Sequence, residues 1–296
     1  MQRLLELLLL GISLGSIYAV IALGFVVVFK ATRIVNLAHG SILLFGAYVL
    51  SQLHGPLGFW LGLLAALTAT VAVALLVELL VMRPARGLDD GALATLTIGV
   101  DILMLTELTR RIGGSIPDNG APWASRVVTI AGLDLPLARV IATAVVLVLL
   151  AALAFAFRYT DWGISMRAAA ADGPTASLMG ISLNRIGLYA WGMAGLAAGF
   201  GGLFLSSYPS AGVTATLGIT ALAAIPAWVI GGFDSLPGAV VGGLIVGVIY
   251  SLATGYSEHL AFLGDDFGSV APYVAMLLLL IVRPHGLLGR KDIVRV

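Results

Sequence analysis

The chain has 296 residues, of which 60% are hydrophobic and only 10% charged, with 16 basic and 15 acidic side chains and a net charge of +1. Soluble domains carry about 25% charged residues, so this balance, with a mean hydropathy of +1.06, describes a polytopic membrane protein and excludes a disordered chain, a cytosolic enzyme and a nucleic-acid-binding module. Cysteine is absent and the four histidines (39, 54, 259 and 285) are scattered, which removes disulfides, thiolate metal sites and zinc spacings.

A spanning helix needs about 20 apolar residues, so a chain of this length holds roughly 8 to 10 spans with no room for a soluble domain. Any energy-coupling domain then sits on another chain. Apolar runs bounded by charge, proline or glycine predict an all-α protein with nine transmembrane or re-entrant segments, at 5–29, 36–52, 59–82, 91–109, 139–157, 184–206, 216–232, 238–256 and 270–282. They form one transmembrane domain over 1–296. The first run begins behind Arg3 like a signal peptide, yet it continues to Phe29 and is read as a retained span.

Polar groups inside lipid are costly and are functional candidates by default. Asn36 and His39, i and i+3 at the start of the second segment, share a helix face on the substrate pathway and with Gly40 mark a helix start, a broken helix, a gate or a direct substrate contact. Asn36 is also placed to cap that helix. In the fourth segment Thr97 and Asp101 share a face, with Thr95 and Thr106 nearby. A carboxylate and hydroxyl facing a cavity would meet a zwitterion's ammonium; the structural alternative ties Asp101 to another helix or to Arg110. Glu78 and Glu107, near segment ends, read as structural.

Pro226 interrupts the seventh segment, a break tolerated where protein or a cavity covers the freed backbone. Gly231, Gly232, Asp234 and Gly238 form a turn that Asp234 is placed to close. Gly195-x-x-x-Gly199 and Gly238-x-x-x-Gly242 allow close helix packing, within the subunit or across a dimer seam.

Placing the tail cluster Arg283, Arg290, Lys291 and Arg295 inside, and alternating back through nine segments, puts the N-terminus outside. Lys30, Arg33, Arg83, Arg86, Arg158, Arg167 and Arg185 then also fall inside, eleven cations against five outside (Arg3, Arg110, Arg111, Arg126, Arg139). This obeys the positive-inside rule. The acidic stretch Glu258–Asp266 falls outside. Val81-Met82-Arg83-Pro84 and Ile281-Val282-Arg283-Pro284 are matching helix stops, independent or a relic of duplication. The external loop 112–138 turns repeatedly and carries a small hairpin, Val127–Ile130 with Leu133–Leu135; it reads as an exposed loop or a docking lid.

The cytoplasmic loop 158–185 carries the mechanism. Ile164–Ala171 reads as a short helix and Asp172-Gly173 breaks it. Pro174 suits the first position of a second helix and Gly180 its C-terminal stop. Two short helices around a break make a rigid knob able to transmit force from a soluble partner. The alternative, a pair lying on the lipid surface, is weakened because Arg167 is the only basic residue within these helices.

Four blocks, in order along nearly the whole chain, resemble the inner-membrane permease subunits of branched-chain amino acid ABC importers, the LivH/LivM class. They are Ile34-Val35-Asn36-Leu37-Ala38-His39-Gly40 with Phe45-Gly46-Ala47-Tyr48, Arg83-Pro84 leading to Leu93–Gly99, the 163–181 loop, and Gly231–Gly238 with Arg283–Gly289. The first block is closer to LivH. The resemblance implies a multi-pass inner-membrane subunit working by alternating access, with branched-chain or related amino acids as substrate. Two cytoplasmic ATP-binding subunits would dock on the loop containing Gly163, Arg167, Asp172, Gly173, Pro174 and Gly180. It also implies a second permease subunit, identical or LivM-like, an external substrate-binding protein, and lipid around the whole. No cofactor is implied beyond ATP on the partners, and the chain is not expected to be an enzyme: it lacks a phosphate-binding Gly-x-x-x-x-Gly-Lys loop and any nucleophile–base pair. One departure is the neutral run Ala168–Ala171, where the family's docking loop often has an acidic residue. Urea or amide permeases share the pattern, and an ion-coupled transporter using Asp101 is the rival mechanism.

Overall fold

In the computed structural model, residues 2–123, 126–130, 133–207, 212–259 and 267–289 are described. Arg290, Lys291 and Arg295 of the expected tail cluster, most of the acidic stretch 258–266 and the hairpin turn 131–132 lie outside them.

Six helices are long and apolar enough to cross a membrane. The first is α1 (Gln2–Thr32), and it is the axis of the molecule: Ile21, Ala22, Val26 and Val28 have no exposed surface. Around it stand α3 (Phe59–Val77, extended by a π turn Glu78–Met82), α4 (Asp90–Ile112), α5 (Leu137–Tyr159), α8 (Leu183–Ser207) and α11 (Leu236–Gly255). At 23 residues α4 is long enough to cross a membrane.

The remaining segments are shorter or broken. They are α2 (His39–Leu57), α9 (Thr216–Leu222) with α10 (Ile225–Gly231), and α12 (Phe267–Val282). Segment 216–232 breaks at residues 223–224 and not at Pro226, because Pro226 lies in the first turn of α10, where a missing N–H is no loss.

Close packing comes from glycine. A β-carbon on Gly15 would lie 2.7 Å from the Gly243 carbonyl oxygen, and one on Gly243 2.6 Å from the Cα of Ala19, so α1 and α11 touch backbone to backbone. This seam, Gly11 and Gly15 against Gly243 and Gly247, was not anticipated. Gly195 and Gly199 seat α8 on Thr70 of α3, and Gly238 and Gly242 seat α11 on α10, so both expected motifs pack within the subunit. The outer faces of α3, α4, α5 and α12 present Leu80, Leu103, Val148, Phe155 and Ile281, all more than half exposed.

The two Arg-Pro stops differ. Arg283 N–H bonds to Leu279 O as in an ordinary α-helix, whereas Arg83 N–H reaches back five residues to Glu78 O at 2.7 Å. The hairpin expected in loop 112–138 forms as β1 (Val127–Ile130) against antiparallel β2 (Leu133–Pro136). The preceding residues are not an ordinary exposed loop. Asn119 is buried and its amide donates to Ser206 Oγ (2.9 Å) and Ser207 Oγ (2.8 Å), while Val213 N–H bonds to Pro117 O (2.8 Å).

Candidate functional site

Between α1 and α2 the chain is not helical over residues 33–38, yet this break is buried: Ile34, Asn36, Ala38 and His39 have almost no exposed surface. Arg33 turns the chain with φ of 59°, a left-handed conformation unusual outside glycine. A break inside an apolar bundle must find partners for its backbone groups, and α4 supplies them. The Thr97 hydroxyl accepts from Leu37 N (3.1 Å) and lies within donating distance of Val35 O (3.1 Å) and Ala94 O (2.7 Å). Asp101 Oδ1 accepts from Ser41 N (3.2 Å) in the first turn of α2, where a carboxylate suits the positive end of the helix. Thr97 is fully buried and Asp101 partly exposed.

The four expected pathway residues therefore meet at one place, but with divided roles. Thr97 and Asp101 hold the break. Asn36 does not cap α2: its amide oxygen and nitrogen are both buried without a hydrogen-bond partner. His39 is fully buried against α1, its ring 4.8 Å from that of Phe25 and pressed onto Gly24, where no side chain would fit. The second broken segment arrives at the same point: a β-carbon on Gly40 would lie 2.6 Å from the Gly218 carbonyl of α9. Two interrupted segments thus abut near the start of α2, with unpaired polar groups beside them.

The knob joins the end of α5 to the start of α8 and lies beside the break, with Arg33 Nη2 donating to Ala170 O (3.4 Å). It consists of α6 (Asp161–Ala171) and α7 (Gly173–Leu178). The first helix begins three residues before the expected Ile164 because the Thr160 hydroxyl caps it, accepting from Gly163 N at 3.2 Å. Gly163 is needed for close approach: a β-carbon there would lie 2.6 Å from the Ala156 carbonyl of α5. Arg167 binds the Phe157 carbonyl and so fastens α6 to α5. Asp172 caps α7, accepting from Thr175 N (3.1 Å) and Thr175 Oγ1 (2.6 Å), and these bonds hold its carboxyl below the usual carboxylate range. Pro174 sits in the first turn of α7. Gly180 has φ of 86° and closes the helix as a Schellman stop, with Gly180 N–H on Ser177 O and Ile181 N–H on Ala176 O, both 3.0 Å. Leu178 (89% exposed) and Met179 (80%) project from its tip, next to a groove lined by Trp162, Ile181, Arg185 and Tyr189.

In the glycine turn Ser235 caps α11 through Gly238 N (3.1 Å), while the Asp234 carbonyl accepts from Lys30 Nζ (3.0 Å). Gly232 has φ of 109°. Its bareness lets the segment after α12 lie across the turn, with Leu287 N–H on Ile230 O (2.8 Å) and Leu288 N–H on Gly231 O (3.1 Å).

Glu107 is structural as expected, bonded to Arg110 and Arg111. The reading from sequence missed Ser41, Asn119, and the cluster of Glu78, Arg86 and Asn184, since each depends on at least one contact between segments far apart in the chain (Ser41 with Asp101, Asn119 with Ser206 and Ser207, Arg86 with Asn184). Among the described residues, no three His, Asp or Glu side chains converge to hold a metal ion.

Residues 7–282 match the family model for the branched-chain amino acid transport system / permease component. The high-affinity branched-chain amino acid transport system permease proteins LivH of Salmonella typhimurium and of Escherichia coli K12 are each 28% identical over 97% of this chain and 96% of their own. BraD of Pseudomonas aeruginosa, with the same descriptive name, is 26% identical over 99% and 98%. No solved structure matches the chain.

Proposed function

Since the chain belongs to the family of permease components of branched-chain amino acid transport systems, we propose that it forms half of the transmembrane pathway of an ATP-driven importer of branched-chain or related amino acids. Membership makes it a multi-pass membrane subunit and not the ATPase. The single observation that carries the coupling assignment is the knob. Capped at both ends and bolted to α5, it presents two bare apolar side chains, Leu178 and Met179, where a cytoplasmic ATP-binding subunit would grip.

In this reading residues 1–296 are one domain, all nine segments enter the membrane, the N-terminus is external and the knob cytoplasmic. Two permease subunits, identical or LivM-like partners, receive substrate from an external binding protein. Closure of the ATP-binding subunits pushes Gly163–Gly180, and the helices tilt between two arrangements. The junction of the two broken segments acts as the gate. There Asn36 and His39 offer polar atoms to a passing zwitterion, while Thr97 and Asp101 keep the break in shape. The bond from Ser41 N gives Asp101 a structural task at the start of α2.

Reconstitution in liposomes with and without the ATP-binding subunits tests the assignment. Uptake of labelled leucine should require ATP, the partner subunits and the binding protein. Uptake driven by an ion gradient alone would overturn it. Competition by urea or short amides, without competition by leucine or valine, would move the substrate class.

A further inference from the structure

Among the described residues, Glu78 is the one fully buried acidic side chain, and none of the pathway or knob contacts above uses it. It opens the π turn that ends α3. Such a turn, a departure from regular helix, persists where its surroundings hold it and often marks a functional position. Oε1 of Glu78 accepts from Nη2 of Arg86, in the connection between α3 and α4. Nη1 of the same guanidinium donates to Asn184 Oδ1 in the first turn of α8. Helix α8 leaves room for this: a β-carbon on Gly187 would lie 2.7 Å from Arg86 Nη2 and 3.1 Å from Glu78 Oε1. Asn184 follows the knob directly, four residues beyond the Gly180 stop. One planar guanidinium therefore clamps the end of α3 to the base of the knob.

The clamp uses only half of what is available. Glu78 Oε2 and Arg83 Nε are both buried and have no hydrogen-bond partner in this conformation. Glu78 opens the π turn and Arg83, five residues on, closes it through the bond from its N–H to Glu78 O (2.7 Å). The two side-chain atoms are a buried acceptor and a buried donor of opposite charge, and leaving either unmet is costly. This gives the Arg83-Pro84 motif a role beyond stopping a helix.

We propose that Glu78 is a two-partner switch. Arg86 holds it in the conformation described. When the knob carries Asn184 and Arg86 away, Arg83 closes onto the carboxylate and the end of α3 re-forms around the new pair. The carboxylate keeps a counter-ion throughout, which spares the penalty of an unpaired buried charge. Displacement of the knob is thereby converted into a discrete second arrangement of α3 and α4. The proposal rests on the importer reading and names the residues that transmit its power stroke.

The test uses the complete transporter, reconstituted with its ATP-binding subunits and binding protein, and measures labelled leucine delivered per ATP hydrolysed. Arg83→Met leaves the Arg86 clamp intact, so melting temperature should hold while leucine per ATP falls about tenfold, the size of an ordinary coupling between sites. Arg83→Lys, which keeps a cation, should recover most of the loss. Asn184→Ala frees the knob from the clamp and should let hydrolysis continue while uptake falls. An unchanged ratio in Arg83→Met overturns the switch, as does a loss that merely tracks a lowered melting temperature in both Arg83 variants. Failure of the importer reading looks different: the unsubstituted transporter itself would then show no ATP-dependent uptake.

Discussion

Gly243→Ala should destabilise the subunit although alanine is the better helix former. The added β-carbon would lie 2.6 Å from both the N and Cα of Ala19 and 2.7 Å from its Cβ. Carbon atoms in ordinary contact are about 3.5–4.0 Å apart, so α1 and α11 must part by roughly 1 Å. The atoms met are mostly backbone, and no flexible side chain can swing away. A gap of that size forfeits a quarter to a half of each dispersion contact, and some 25 atom pairs at about 0.1–0.2 kcal/mol give a loss of about 1–2 kcal/mol. Overpacked sites lose a similar amount, about 1–3 kcal/mol. Gly99→Ala is the control. It lies within α4 with nothing near its β-position, so it keeps the propensity gain of up to about 1 kcal/mol without the clash. The two chemically identical substitutions should therefore differ by about 1–3 kcal/mol, with opposite signs in the favourable case. Denaturant unfolding of the purified subunit in detergent, followed by circular dichroism, measures the gap. Equal stability of the two variants would refute the backbone seam.

Three further outcomes follow from the geometry. Asp101→Ala removes the acceptor for Ser41 N and should lower stability by about 1 kcal/mol, whereas Asp101→Asn keeps an oxygen there and should lose less; thermal melting separates them. The bonds from Thr175 depress the Asp172 carboxyl in the folded knob. Their stabilisation is thus complete above the ordinary aspartate value, near pH 4, and is lost as pH falls through the lower folded value. Amide exchange at Ala176–Met179 should accordingly be pH-independent, apart from intrinsic rates, from pH 8 to about 5 and should accelerate in Asp172→Ala at any of these values. Gly180→Val places a β-branched residue at φ of 86° and should cost the knob about 1–2 kcal/mol, with Gly180→Asn milder, read by protease cleavage at the 178–182 segment.

The knob was legible in advance because its signals are local. Asp172, Pro174 and Gly180 act on backbone groups within five residues, so cap, first turn and stop follow from neighbours in the chain. The break at 33–38 was half legible. Asn36, His39, Thr97 and Asp101 were all singled out as polar residues in apolar surroundings. That Thr97 and Asp101 serve the backbone of Val35, Leu37 and Ser41, some 60 residues away, depends on α4 lying beside α2. Glu78 looked like a segment-end charge free to snorkel. Its burial beneath Arg86 and Gly187 arises from the approach of α8, which nothing near residue 78 announces.

By itself the sequence determined the class, the segment order, the local stops and the family blocks. These depend on composition and on residues close in the chain. Only the tertiary structure decided that α1 is the buried axis and that α3, α4 and α5 form the rim. In water, one apolar stripe per helix marks the face that turns inward. In a bilayer the lipid face and the packed face are both apolar, and helices are sorted by backbone fit and buried hydrogen bonds instead. Gly15 against Gly243, Asp101 against Ser41 and Glu78 against Arg86 are that sorting, and each is a relation between segments that hydropathy does not record.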